Sequence, residues 1–263
     1  MSLEQILVEK KGHITTITIN RPEVMNCISP ITSQELGRAL DEFSADNEAW
    51  ICIMTGAGDR AFSAGNDLKW QAQNGIEALK REGAKASGGF GGITARFDCF
   101  KPMIAAVNGL AYGGGFEVAL ACDIIISAEN ATFSFPEPRV GLIPGAGGVY
   151  RLPKQMPYHL AISLIMTCKR ITAQEAKALG LVSEVVPLNK LMETAHAYAE
   201  EILKGSPLAI RAAKEAVLKG LEIPVAEAMP KTWPGLAAMY QSEDLKEGAL
   251  AFVQKRPPQW KNR

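Results

Sequence analysis

One stretch, Ala105–Asp123 (AAVNGLAYGGGFEVALACD), restricts the fold of this chain more than any other. An apolar run leads into three consecutive glycines, Gly113, Gly114 and Gly115, and a helix-forming run starts directly after them. A glycine turn feeding a helix start leaves backbone N–H groups unpaired and pointing outward, at the positive end of the helix dipole. Glu117 falls in the first turn of that helix, and a second carboxylate, Glu137, lies in the proline-bounded loop FPEPRVGLIPGAGG. Two carboxylates beside an anion-stabilising backbone form a kit for proton chemistry next to a carbonyl.

The flanking segments set this turn in a layered α/β chain. Gln5–Glu9 and His13–Asn20 read as a hairpin about a Lys11–Gly12 turn, with β-branched alternation in the second arm. Ser29–Pro30 supplies an N-cap and a first-turn proline for a helix reaching about Phe43. Trp50–Thr55, Met103–Val107 and Ile124–Ser127 are apolar on both faces, which predicts buried central strands. Thr172–Glu175 forms a capping box, and Gly180 stops that helix before the strand-like LVSEVV. Strands that alternate with helices predict layered α/β over residues 1–204. Residues 205–263 read as a helical region opened by Ser206–Pro207 and broken at Gly220, Pro230 and Pro234. That region is too small for a core of its own, so it is expected to pack on the main domain or on a neighbouring subunit. Residues 71–92 read equally well as a plain surface loop and as a mobile wall over a pocket.

Charge and cysteine usage remove several function classes. The 28 basic residues balance 28 acidic ones, whereas a sequence-independent nucleic-acid binder carries a basic surplus. The five cysteines, Cys27, Cys52, Cys99, Cys122 and Cys168, are scattered, with no CxxC or Cys/His metal spacing. They read as free thiols in a reducing compartment. No secretory signal and no apolar run of membrane-spanning length is evident, so a cytoplasmic protein is expected. His13, His159 and His196 lie outside any HExxH spacing, and no metal is expected. Ser63 and Ser87 lack the G-x-S-x-G elbow of a serine hydrolase, and the G-x-G-x-x-G dinucleotide spacing is absent.

Six blocks occur together in order: ITINRPEVMN, TGAGDRAFSAGNDLK, KPMIAAVNGLAYGGGFEVALACDI, FPEPRVGLIPGAGGVYRLP, RITAQEAKALGLVSEVV and EGALAFVQKR. With them the chain resembles the enoyl-CoA hydratase/isomerase, or crotonase, family over essentially its whole length. The resemblance implies a crotonase-like α/β spiral of strand–strand–helix units, with a helical C-terminal region that builds homotrimers, commonly paired into hexamers. It implies an acyl-CoA thioester as substrate, as in fatty-acid metabolism, with coenzyme A as part of the substrate and no separate cofactor. The thioester oxygen is then held by the backbone N–H groups of Asn66 and Gly114, each such donor contributing on the order of 3 kcal/mol to an oxyanion.

Glu117 and Glu137 match the two catalytic glutamates of the family's hydratases. Alone, Glu117 reads as a dipole-favoured helix-start carboxylate and Glu137 as a solvated loop residue. Together in matching motifs they favour water addition or removal over 2,3-enoyl isomerisation. The resemblance also assigns Val24, Ala64, Asp67, Leu68 and Lys69 to coenzyme A or substrate contacts. Phe252 and Lys255 match positions at the nucleotide end, often reached from a neighbouring subunit. Glu23 stands where many relatives carry a basic residue and receives no binding role. FSAGNDLK, GGFGGITARF and the ending SEDLKEGALAFVQKRPPQWKNR are closest in character to carnitinyl-CoA dehydratases. A non-catalytic or RNA-binding relative on the same fold is the competing class, and the neutral charge and both glutamates count against it.

Overall fold

The hairpin at the start of the chain seeds the larger of two sheets. In the computed structural model, which describes residues 3–263, β1 (Ile6–Lys11) pairs antiparallel with β2 (Ile14–Ile19). The turn falls at Gly12–His13, one residue later than expected, because β1 stays paired through Lys11 and Gly12 supplies the positive φ of +56°.

From there the chain coils, and successive turns give one strand to each sheet. Helix α1 (Pro30–Ala45) carries the chain from β2 to β3 (Ile51–Gly56), and β4 (Ala61–Ser63) follows. Helices α2 (Leu68–Asn74) and α3 (Ile76–Gly83) lead on to β5 (Met103–Val107) and β6 (Leu110–Tyr112). Helix α4 (Gly114–Ala121) then precedes β7 (Ile124–Ala128) and β8 (Thr132–Ser134). After them come α5 (Gly148–Gln155), α6 (Tyr158–Thr167), β9 (Ile171–Thr172), α7 (Ala173–Ala178) and β10 (Glu184–Val186). The six-stranded sheet runs β1-β2-β3-β5-β7-β10 and is parallel beyond the hairpin. The four-stranded sheet runs β4-β6-β8-β9, parallel except for the last pair.

Both faces of the central strands are covered, as their unbroken apolar sequences require: every residue of β3 and β5 is buried. Phe116 of α4 stacks on Phe135 at 4.8 Å and meets Phe133 at 5.1 Å, which fixes the glycine-started helix against the smaller sheet. A separate apolar layer under the other face of the large sheet joins Ile53, Ile104 and Ile126 to Leu191, Ala195 and Ala199 of α8 (Leu191–Leu203).

The caps read from sequence are present as hydrogen bonds. Ser29 accepts from Thr32 N–H at the start of α1, and Thr172 and Glu175 cap α7 reciprocally. Ser206 accepts from Ala209 N–H at the start of α9 (Pro207–Gly220). The short α10 (Val225–Ala228), then α11 (Pro234–Gln241) and α12 (Glu243–Val253), complete the chain, with α11 packed on α9. Lys214 of α9 ties this group to the core by an ion pair with Asp123 at 2.7 Å. The five cysteines are free, all but Cys27 buried. No helix among the described residues is long and apolar enough to cross a membrane.

Segment 71–92, read from the sequence as a surface loop or a pocket wall, is largely helical. It forms α2 and α3 and then the 3-10 turn Phe90–Gly92, where Gly91 and Gly92 are buried against the core. Gly91 N–H donates to Ser33 Oγ of α1 at 3.1 Å, so α1 anchors the end of the segment.

Candidate active site

Glycine fills the N-cap and the first two positions of α4, where a Cβ at each would meet a close neighbour. A Cβ at Gly113 would stand 2.7 Å from Glu137 Oε1, one at Gly114 2.4 Å from the Phe90 ring, and one at Gly115 2.1 Å from Ser63 O. Gly113, with φ +52°, is the N-cap, which makes Gly114 the first helical residue. Its N–H therefore has no intrahelical acceptor.

A second backbone donor comes from the segment after β4. Asn66 bridges Ile28 in parallel: Ile28 N–H donates to Gly65 O at 2.7 Å and Asp67 N–H donates to Ile28 O at 3.1 Å. That pattern turns the N–H of Asn66 itself away from Ile28. The two donor segments touch, since a Cβ on Gly65 would lie 2.8 Å from Gly114 N. Asn66 and Gly114 both line one cavity of about 460 Å³.

Both carboxylates reach the same cavity from different elements. Glu117, 3% exposed, projects from the first turn of α4, and Glu137 opens the 3-10 turn Glu137–Val140. Glu117 Oε1 accepts from Gly148 N–H, the first residue of α5, at 2.8 Å. Burial pushes the Glu117 carboxyl up to about 7, opposed by the N–H of Gly148, reinforced by Glu137, and opposed again by Ala146 N–H and Arg151. Burial also raises Glu137, whose Oε2 is buried with no hydrogen-bond partner among the described residues. Two neighbouring carboxyls that both hold protons more tightly than usual can trade protons with a ligand near neutral pH.

The remaining wall is apolar, contributed chiefly by Leu79, Phe90, Val140, Leu142 and Ile143, with Lys80 as the cation on the lining. No group of side chains among the described residues is arranged to hold a metal ion.

Residues 9–263 match the family Enoyl-CoA hydratase/isomerase. The chain belongs to that family. A carnitinyl-CoA dehydratase from Salmonella enteritidis is 43% identical over 264 aligned residues, covering 99% of each chain. The crystal structure of an enoyl-CoA hydratase from Bacillus anthracis superposes with a TM-score of 0.93 at 36% identity, over 99% of this chain and 100% of that one. An enoyl-CoA hydratase from Mycobacterium marinum gives 0.90 at 37% identity, over 98% and 99%. The two-sheet coil with its helical C-terminal part is the family's crotonase fold.

Within this member of the family, Ala64, Asn66, Leu68, Gly114, Glu117 and Glu137 line the cavity. Five residues assigned to ligand contact by resemblance do not line it: Val24, Asp67, Lys69, Phe252 and Lys255. Asp67 is otherwise engaged, because its carboxylate caps α2 through Trp70 N–H at 3.0 Å and pairs with Arg21 at 2.9 Å. Val24 belongs to the 3-10 turn Pro22–Val24, and the exposed Lys69 follows Leu68 in the first turn of α2. Phe252, 85% exposed, lies in the last turn of α12, and Lys255 follows that helix on the surface. The Asn66 side-chain amide donates to Gln71 Oε1 at 2.7 Å, which occupies it within the protein.

Sequence reasoning missed Gly148 as the group that holds Glu117. The signal was present as the glycines of GAGG before α5, a second helix start with free N–H groups. It left Phe90 unassigned as well, although its ring closes over Gly114.

Proposed function

We propose that this protein is a hydro-lyase that reversibly adds water across the double bond of a 2-enoyl-CoA thioester. The observation that carries this reading is the convergence of Glu117 and Glu137 on one cavity, beside the backbone donors of Asn66 and Gly114. Water loses a proton to Glu117 as its oxygen bonds to the β-carbon. The π electrons move toward the thioester oxygen, where the N–H groups of Asn66 and Gly114 meet the growing negative charge. Glu137 then delivers a proton to the α-carbon. Its raised proton affinity and unpartnered Oε2 suit a carboxyl that is protonated before turnover. A proton passed from Glu117 to Glu137, directly or through solvent, resets the site, and dehydration runs the same steps backwards.

Coenzyme A enters as part of the substrate, with Ala64 and Leu68 along its path and no separate cofactor. Val24, Asp67 and Lys69 then act from behind that wall, Asp67 by fixing α2. Phe252 and Lys255 serve the nucleotide end of a site on a neighbouring subunit. The exposed apolar residues Val217, Leu221, Val225, Met229, Phe252 and Val253 support a homotrimer, or a hexamer of paired trimers, built through residues 205–263. Free buried thiols suit a reducing cytoplasm, and the balanced charge argues against a nucleic-acid partner.

Dehydration of carnitinyl-CoA is the second reading, favoured by the 43% identity to an enzyme of that name. A panel of enoyl-CoA esters, crotonyl- and crotonobetainyl-CoA included, tests both through loss of the conjugated thioester absorbance. Incubation in heavy-oxygen water must label the product. Turnover without label means isomerisation and sinks the proposal.

A further inference from the structure

Helix α5 carries a cation in a place where its own helix disfavours one. Arg151 lies in the first turn, at the positive end of the helix dipole, half-buried, and no carboxylate stands within ion-pair distance among the described residues. Its guanidinium folds back over the helix start, with Nη1 2.0 Å from the point a Cβ on Gly147 would occupy. Nη2 donates to Thr94 O at 2.8 Å, and the exposed Phe97 ring covers the group at 5.8 Å. Thr94 follows the Phe90–Gly92 turn, whose phenylalanine lines the cavity, and its N–H and Oγ1 both donate to Phe90 O. One side chain thus joins the pocket wall to the helix start whose Gly148 N–H holds Glu117.

We propose that Arg151 is a positioning residue for Glu117: it clamps the start of α5, whose Gly148 N–H holds the carboxyl, to the Thr94 wall and sets its positive charge over that helix start. This rests on Glu117 acting as the base that accepts a proton from water. The charged groups acting on Glu117 are Glu137, from the 3-10 turn after β8, and Arg151, from α5. Glu137 makes ionisation of Glu117 harder and Arg151 makes it easier, while Glu117 in turn favours the charged form of Arg151. Cys122, at the end of α4, is the other titratable group facing Arg151, and burial keeps its thiol protonated.

The test is the pH dependence of kcat/KM for Arg151→Gln and Arg151→Lys, with circular dichroism to establish folding. In the Gln variant the acidic limb should move up by roughly half a pH unit or more, the scale expected when a nearby opposite charge is lost. The Lys variant keeps the charge and should restore most of that limb without restoring the Thr94 clamp. A uniform loss with an unmoved limb in the Gln variant overturns the proposal and leaves Arg151 a structural residue.

If Arg151→Gln does not fold, Phe97→Ala replaces it. That exposed substitution lets water screen the guanidinium and should move the limb the same way by less, and no movement there overturns the proposal. Glu117→Gln separates the two levels. An active Glu117→Gln enzyme removes the base itself, whereas an inactive one beside an unmoved Arg151→Gln limb removes only the role of Arg151.

Discussion

The glycine turn before α4 and the pair of helices α2–α3 both line the cavity, yet they are held in opposite ways. At the turn the packing is closest: a Cβ on Gly65 would meet Tyr112 O and Gly114 N, one on Gly115 would meet Ser63 O, and those on Gly113 and Gly114 would press on the Glu137 carboxylate and the Phe90 ring. Neither α2 nor α3 has a buried residue, and the exposed pair Lys80–Glu77, 3.1 Å apart, adds little rigidity. Reaction chemistry needs donors and carboxyls fixed to a fraction of an ångström, and it sits on the locked part. Selection of the acyl group needs only a wall of suitable shape, and Leu79, Lys80 and Gly83 supply one that can vary at low cost. The contrast teaches that one cavity divides into a part that cannot change and a part that can.

The hardest blow to that contrast is Gly115→Ala. Its methyl carbon would stand 2.1 Å from Ser63 O, a backbone atom of β4 that cannot swing aside. The expected outcome is loss of the folded protein at ordinary growth temperature, seen as insoluble material or a collapsed melting transition. A soluble variant of normal stability would mean that the turn is far softer than its contacts imply. Gly114→Ala is the gentler companion: the clash is with the Phe90 ring at 2.4 Å, so the fold should survive with turnover reduced at least tenfold. Pairing it with Phe90→Ala, which opens that space, should recover part of the loss.

Next in size are the carboxyls. Glu117→Gln and Glu137→Gln should each lower kcat by a hundredfold or more while acyl-CoA binding changes little, as measured by calorimetry with a substrate analogue. Near-normal turnover by either variant removes the two-carboxyl mechanism.

The same division explains which parts were legible in the sequence. Caps and turns depend on residues three or four apart, so Ser29, Thr172 and Ser206 could be read directly, and their hydrogen bonds are present. The Gly113–Gly115 turn was legible because three glycines before a helix serve little purpose except close approach. Glu117 meeting Gly148 was not, since the contact spans 31 positions and uses only a backbone N–H. The engagement of the Asp67 carboxylate was hidden for a related reason. Its place beside Asn66 fits a ligand contact, and only the fold shows Arg21, 46 positions away, claiming the carboxylate. Segment 71–92 carries weak periodicity, and α3 and the Phe90–Gly92 turn both pack on α1, a partner distant in sequence.

Charge storage at the locked site has a stability consequence of about 1–3 kcal/mol. Burial holds Glu117 near 7, above its ordinary 4.5. A carboxyl raised in this way favours folding fully below its unfolded value, and that contribution is lost as pH rises through about 7. Glu117→Gln is neutral at every pH and keeps an acceptor for Gly148 N–H. It should therefore melt several degrees above the wild type at pH 8, with the gap closing by about pH 5. A gap independent of pH would mean that Glu117 is not the strained group.

The smallest effect belongs to the variable wall. Leu79 is half-buried on α3 and lines the cavity. Trimming it to alanine removes part of one apolar surface and leaves both carboxyls and both backbone donors in place, so kcat on a short enoyl-CoA should stay within about threefold. The loss should appear in discrimination. The ratio of kcat/KM between a longer and a shorter acyl chain should change by roughly three- to tenfold, the scale of one or two methylene contacts in a half-open pocket. A drop of a hundredfold in kcat with the ratio unchanged would place Leu79 with the fixed chemistry, and the division between a locked face and a selective face would then fail.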